Sequence, residues 1–263
     1  MRIFVIAFIF SILFNMPARA EENNFKQLRS EHFFINYHPD VGQSYIYKVK
    51  NKAEGFYKTI THEFSFTRDE FWLWENRARI FVAKDKQNYL DSFNCSSWSG
   101  ACVHYQDKII YTYPDQEKFI PILAHELTHI IFREYMGKGY FPLWLDEGVA
   151  TYIEDKQAGG LYKKNLFYLE QKIKDNSYIK LEKLNQITPG GLNGESKDFV
   201  NLFYLEAFSL VNFFKKQYGE YSFSRFLYYL KKGSSVVEAF SKISYYLQSF
   251  DDLEEKWKTF YWE

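Results

Sequence analysis

The stretch ILAHELTHIIF, residues 122–132, constrains this chain more than any other. It sets His125 and His129 four residues apart, with Glu126 directly after the first. At about 100° per residue the two imidazoles fall about 40° apart on a helix, one turn along, so both reach the same side. Two imidazoles so placed can grip one Zn²⁺, each at about 2.0–2.1 Å. Glu126, on the adjacent flank, can reach a water on such a metal. Zinc brings the pKa of that water to about 7, and a neighbouring carboxylate can take the proton and pass it to a leaving group. The pentapeptide alone is short, and two histidines can equally be packed side chains of a buried helix. A third ligand decides the matter, because a catalytic zinc keeps three protein ligands and one open position.

The segment PLWLDEGVATY, residues 142–152, offers that ligand. Glu147 follows His129 after seventeen residues, on a second helix that a turn containing Gly137, Gly139 and Pro142 can fold back. HELTH followed by WLDEG, with an aromatic beyond the next Ala-Thr, resembles the gluzincin clan of zinc peptidases. Within it, the pattern WL-x-EG-x-A-x-Y is most similar to the small secreted peptidase MA-like domains. The resemblance implies a zincin-like α+β fold, a mixed N-terminal sheet with the metal-binding helix followed by a mostly helical C-terminal subdomain. It makes His125, His129 and Glu147 the ligands of one Zn²⁺ per chain, and Glu126 the general base.

FYLEAFSLVNFFKKQYG, residues 203–219, is similar to a later helix of the clan, whose tyrosine donates to the oxyanion of the tetrahedral intermediate. Tyr204 stands at the matching place; otherwise it is one of 22 tyrosines. SFDDLEEKWKTF resembles the family's closing helix. The likeness spans most of the chain beyond residue 20 and is strongest over 120–155. It departs at GACVH, residues 100–104, where Val103 replaces the glutamate that holds a free amine in the aminopeptidases of the clan. The gap to Glu147 is also one residue shorter than theirs. Aminopeptidase action is therefore not implied.

A metal-bound histidine usually passes its free N–H to a carboxylate or carbonyl. Thr151 and Glu154, four and seven residues after Glu147, share its helical face and are the candidate supports, whereas Asp146 points elsewhere. The ordinary alternative for Glu154 is a solvated acid. By analogy of fold, residues 108–113 are expected to form an exposed edge strand that pairs with substrate backbone.

The remaining features set the context. Residues 1–20 carry Arg2, an apolar run from Ile3 to Phe14 and Ala18-Arg19-Ala20, the anatomy of a secretory signal peptide cleaved near Ala20. An uncleaved anchor is the rival, although the run is short for a bilayer. The expected organisation is a signal peptide over 1–20 and one zincin domain over 21–263, strand-rich over about 21–117 and helical over about 118–263. The product would be exported, periplasmic or secreted, with no stable membrane span. Cys95 and Cys102 are the only cysteines, and in an exported chain a close pair reads as one disulfide. The rival, zinc on these thiols, has only His104 nearby as a further ligand.

Thirty-three basic and thirty-three acidic residues balance, and no basic stripe suggests nucleic acid. The aromatic richness, 27 Phe and 22 Tyr, reads as a well-filled core. Strands are expected over 31–39 and 77–83, and a hairpin or long strand over 103–113. Helices are expected over 44–64, from Pro121 through the histidines to Gly137, over LWLDEGVATYIED, and at 161–175, 199–218, 222–232 and 235–247. TPGGLNGES, residues 188–196, is the expected break. The function implied is hydrolysis of peptide bonds in a peptide or protein substrate by a zinc metallopeptidase. The alternatives are a catalytically silent gluzincin fold that binds peptide or protein, and an exported domain in which HELTH is coincidental.

Overall fold

A computed structural model describes residues 25–66, 71–93, 95, 100–114 and 119–262. The segment expected to be a signal peptide lies outside these residues. The architecture is α+β, with a mixed five-stranded sheet preceding a mostly helical region. The chain divides into two units, Met1–Thr59 with Arg68–Ile130, and Ile60–Thr67 with Ile131–Glu263.

The first unit holds all the described strands: β1 (Lys26–Arg29), β2 (Phe33–Tyr37), β3 (Ala78–Val82), β4 (Ala101–His104) and β5 (Ile109–Thr112). Their order is β1-β2-β3-β5-β4. β2, β3 and β5 run parallel, while β1 and β4 pair antiparallel at the two margins. Parallel neighbours need a crossover between them, and helix α1 (Gln43–Glu63) supplies the one from β2 to β3. Ile46, Val49, Ala53, Phe56 and Ile60 recur at helical spacing along α1 and are buried. They extend the apolar stripe legible in the sequence, with Ile46 rather than the half-buried Tyr45 at its start. Phe33, Ile35, Ile80, Val82 and Ile110 are among the residues that the sheet buries. The fully buried Trp72 meets Phe33 edge-on at 5.7 Å. His32 ties β2 to α1, its ring stacked on Tyr57 and its Nδ1 2.6 Å from Glu54 Oε2.

The expectation of an exposed edge at 108–113 is corrected. β5 is internal, bonded to β3 on one side and β4 on the other, and the margin is β4. The cause is the hairpin between them, where Lys108 takes φ 55° and folds β4 back outside β5. Cys95 and Cys102 form a disulfide with Cα atoms 6.0 Å apart, so the thiols are not free for zinc and the bond tethers the marginal strand. Helix α2 (Lys86–Phe93), between β3 and β4, has no counterpart in the expectations. Helix α3 (Phe119–Met136) begins in this unit with Pro121 in its first turn and runs unbroken into the second.

The second unit contains α4 (Leu143–Gln157), α5 (Leu161–Lys164), α6 (Leu166–Lys174), α7 (Leu181–Gln186), α8 (Pro189–Leu192), α9 (Lys197–Lys231), α10 (Val236–Ser241) and α11 (Phe250–Trp262). The expected helix over 161–175 is broken at Asn165, and α8 is a single turn inside the expected loop, capped by Thr188. α9 contains the two expected helices, joined at Gly219 with φ 82°, a conformation open to glycine at little cost. The aromatic residues do fill a core here. Phe226 and Phe240 stack at 4.5 Å, and Phe214 lies against both. Among the described residues no helix is long and apolar enough to cross a membrane.

Charged groups inside this unit are matched individually. Lys215 donates to the main-chain oxygen and the carboxylate of Glu63, which Lys156 also meets at 2.8 Å. The chain from Tyr178 to Leu181 hangs on two acids. Glu254 accepts from Tyr178 Oη, Lys180 Nζ and Leu181 N, and Glu206 Oε1 accepts from Ile179 N at 2.8 Å. Glu206 is fully buried, and its other oxygen has no hydrogen-bond partner among the described residues.

Burial, reinforced by the charge of Glu254, holds the Glu206 carboxyl well above its ordinary value of 4.5, although the Ile179 N–H pulls the other way. Above about pH 4.5 the unfolded chain releases this proton while the folded chain keeps it, so this group makes stability fall as pH rises. Glu206→Gln retains the acceptor and removes the titration. Its stability relative to wild type is expected to improve from pH 5 to pH 8, by at most about 1.4 kcal/mol per pH unit. Urea unfolding at several pH values measures the difference; a constant offset would contradict it.

Candidate metal centre

α3 carries His125, Glu126 and His129, and all three are buried. The helix is apolar around them, with Leu123, Leu127, Ile130 and Ile131 also buried, so the histidines sit on an interior face. Their Nε2 atoms are 3.0 Å apart, with ring centroids at 4.7 Å. Nitrogens bound tetrahedrally at about 2.0–2.1 Å from zinc would stand roughly 3.3 Å apart, so the rings are already near a chelating separation. Tyr105, in the β4–β5 turn, presents its ring edge-on to His129 at 5.9 Å. α3 closes at Gly137, with φ 59°, whose N–H bonds Arg133 O; Gly139 N–H then bonds Met136 O.

Pro142 starts α4, and Leu145 N–H bonds its carbonyl. Asp146 lies one residue before Glu147 and faces Arg133 of α3, whose Nε and Nη2 meet Oδ2 at 3.0 and 2.7 Å. This pair fixes the first turn of α4 to the last turn of α3. Glu147 is itself buried. His125, His129 and Glu147 each offer one ligand atom, and these atoms lie within 4.8 Å of one another. Two imidazoles and a carboxylate, gathered at this spacing in buried positions, suit a borderline-soft divalent ion such as zinc.

The supports expected from spacing behave differently. Thr151 is buried, but its hydroxyl donates to the main-chain oxygens of Glu147 and Gly148, at 2.7 and 3.1 Å, rather than to the Glu147 carboxylate. Glu154 is buried, not the solvated acid of its ordinary reading. Tyr204 is buried on α9, two turns after its N-cap Ser196, and lies edge-on to Phe203.

Tyr162 escaped the sequence reading. It sits on α5, just after Gly159 and Gly160, both left-handed at φ 70° and 78°. Asp155 Oδ1 accepts from the N–H groups of Tyr162 and Lys163 at 2.5 and 3.2 Å, which anchors this turn. Burial raises the Asp155 carboxyl above its ordinary value against the pull of those bonds. The Tyr162 ring stacks on Phe208 of α9 at 5.4 Å. Burial drives its hydroxyl well above 10.0, and the charges of Glu154, Tyr204 and Glu147 add to the effect. No motif marks this residue; only the Gly-Gly turn before it signals a reversal of the chain.

Residues 78–263 match the Peptidase MA superfamily, and the chain belongs to it. The fold is similar to that of native yeast LTA4 hydrolase, with TM-score 0.54 and 16% identity over 89% of this chain and 38% of that one. A second structure of the yeast enzyme, in complex with bestatin, gives TM-score 0.52 and 15% identity over 91% of this chain and 39% of that one. The chain thus spans about two fifths of the length of those structures. No curated protein sequence matches significantly.

α4 can present Glu147 as it does because Gly148 has no side chain. A Cβ there would lie 2.5 Å from Ala207 O and 2.9 Å from Val211 Cγ2. Gly148→Ala must push α4 off the α9 backbone, at a cost of about 1–3 kcal/mol. Thermal unfolding of the metal-free variant is expected to show a lowered midpoint; an unchanged midpoint would mean that the two helices separate freely.

Proposed function

We propose that this chain is an exported zinc-dependent metallopeptidase of gluzincin type, akin to the small secreted peptidase MA-like domains. The observation that carries this reading is the convergence of His125, His129 and Glu147, with Glu126 buried on the same helix as the two histidines. Membership of the Peptidase MA superfamily supports it. The three residues would hold one zinc ion per chain. Bound there, the ion would supply Lewis acidity towards a water and a substrate carbonyl.

Glu126, next in sequence to His125, would take the proton of the attacking water and return it to the leaving amine. Tyr204 would donate its phenolic hydrogen bond to the oxygen on which charge develops, an interaction stronger in the transition state than in the ground state. Val103, on β4, offers no carboxylate to a free α-amine, so the substrate is a peptide or protein held by means other than its amino terminus. Export rests on the signal-like residues 1–20 and agrees with the disulfide, which belongs to an oxidising compartment.

The test combines metal analysis with a broad peptide library. The purified protein is expected to carry about one zinc per chain and to lose cleavage with a chelator. Glu126→Gln should retain the zinc and lose at least about 100-fold in kcat, the contribution expected of a general base. Tyr204→Phe should lower kcat with KM nearly unchanged. An active Glu126→Gln protein would sink the mechanism, and zinc-loaded wild type that cleaves nothing would favour a peptide-binding role.

A further inference from the structure

A second group of metal-binding side chains belongs to the first unit. Glu31 and His32 sit between β1 and β2, and Glu54 lies on α1. Each offers one ligand atom, and the three atoms lie within 4.8 Å of one another. The turn between the strands is closed by Ser30 N–H on Phe33 O. Arg77 Nε donates to the carbonyls of Ser30 and Glu31, each at 2.9 Å, so the main chain under both side chains is pinned.

The imidazole of His32 is the fixed part. It is buried, its ring stacks on Tyr57 at 3.8 Å, and Glu54 holds it at two points. Glu54 Oε1 accepts from the His32 main-chain N–H at 2.9 Å, and Oε2 stands 2.6 Å from Nδ1. An ionised carboxylate can only accept, so Nδ1 carries the hydrogen and Nε2 keeps the lone pair. A carboxylate behind an imidazole in this way orients the ring and makes its outer nitrogen a stronger ligand. That outer nitrogen faces Glu31, whose Oε1 is 3.9 Å away, beyond a direct hydrogen bond. A lone pair and an anionic oxygen repel unless a cation lies between them. A proton on Nε2 would make no hydrogen bond to Glu31 at this distance, whereas an ion bonded to both atoms spans most of it. Ligand atoms around zinc at about 2.0–2.1 Å stand roughly 3.3 Å apart. The Glu31 side chain, 63% exposed, has room in solvent to close the difference.

We propose that Glu31 and His32 form a further cation site, in which His32 Nε2 and the Glu31 carboxylate bind a divalent transition ion and Glu54 supports the imidazole from behind. One imidazole nitrogen and one carboxylate oxygen suit zinc or a neighbouring first-row ion, rather than calcium or magnesium, which take oxygen ligands. Water completes the coordination on the exposed side, so this site is weaker than one built from three side chains. Bound there, the ion ties the β1–β2 turn to α1 through His32 and Glu54 and stabilises that margin of the sheet. The site shares no residue with His125, His129 and Glu147 and does not rest on the function proposed above.

The experiment titrates zinc into the protein after its strongest site has been filled, by equilibrium dialysis. It compares wild type with Glu31→Gln, His32→Gln and, as a control, Glu195→Gln, an exposed acid between α8 and α9. Wild type is expected to bind about one further zinc ion per chain. Glu31→Gln and His32→Gln should weaken that step at least about 10-fold, the smallest loss expected even of a supporting group. Glu195→Gln should leave it unchanged. Because an ion bound to the folded state raises its stability, further zinc should raise the melting temperature of wild type and not that of Glu31→Gln. Should His32→Gln fail to fold, Glu31→Gln decides, since its side chain is exposed. No further zinc on wild type would overturn the proposal. Equal binding by wild type and Glu31→Gln would overturn it too, marking an adventitious ion only. Failure of His125, His129 and Glu147 to hold zinc would end the proposed function yet leave this inference standing, because the comparison is between wild type and Glu31→Gln.

Discussion

The close passage of α4 over α9 at Gly148 is the contact on which the rest of the second unit depends. With a hydrogen in place of a side chain, the helix meets the Ala207 carbonyl directly, and side chains on either side of the contact are carried inward with it. Glu147 precedes the glycine, and Thr151 and Glu154 continue its face. From the other helix Tyr204 and Phe208 bracket Ala207. A close approach of backbones leaves little room for large groups at the crossing itself, so ring volume is moved to its flanks, where Phe208 stacks with Tyr162 and Tyr152. Packing of this density makes the position of a carboxylate a property of two helices rather than of one rotamer.

Burying so many acids beside that crossing requires that each be compensated, and the compensation differs by position. Asp146 has the guanidinium of Arg133, with two nitrogens on one oxygen. Asp155 has two main-chain N–H groups of α5. Glu63, at the end of α1, has two lysines, and their bonds outweigh the burial that would raise its pKa. Glu206 follows a different course, keeping a proton and giving up its charge. These solutions reflect one rule: an ionised group enters a low-dielectric interior only with a partner of matching charge or with convergent donors. A pair of imidazoles and a carboxylate drawn within ligand distance fits the same rule, with a cation as the partner.

Much of the fold was legible because periodicity survives in this chain. The α1 stripe, the hairpin near residues 105–108 and the break at Gly219 each follow from side-chain spacing or from glycine at a left-handed position. What was missed is short or depends on distant partners. β1 is four residues of mixed polarity, KQLR, and becomes a strand only because β2 offers an edge. α2 and α7 are eight and six residues long, too short for a clear apolar repeat. The identity of the sheet margin was misjudged for a related reason. Strand order is a long-range property, and KIIYTY reads the same whether β4 lies beyond it or not.

The candidate site divides along the same line. The grouping of His125, His129 and Glu147 within ligand distance was legible because two helical repeats and a short turn relate them, so local geometry carries most of the information. Thr151 was nominated by that logic and illustrates its limit, since helical spacing gives the face but not the competition for a proton. A threonine within a helix has its own carbonyls, three and four residues back, nearer than any carboxylate. Tyr162 lies on no face shared with a ligand and is one of 22 tyrosines. Its place against α9 is set by the Gly159-Gly160 reversal, the Asp155 clamp and the ring of Phe208, three constraints that meet only when the chain is folded. Groups that bind a metal directly must be close in space in a stereotyped way, and motifs record that. Groups that hold those ligands can arrive from any segment able to present a donor, so their identity emerges from packing alone.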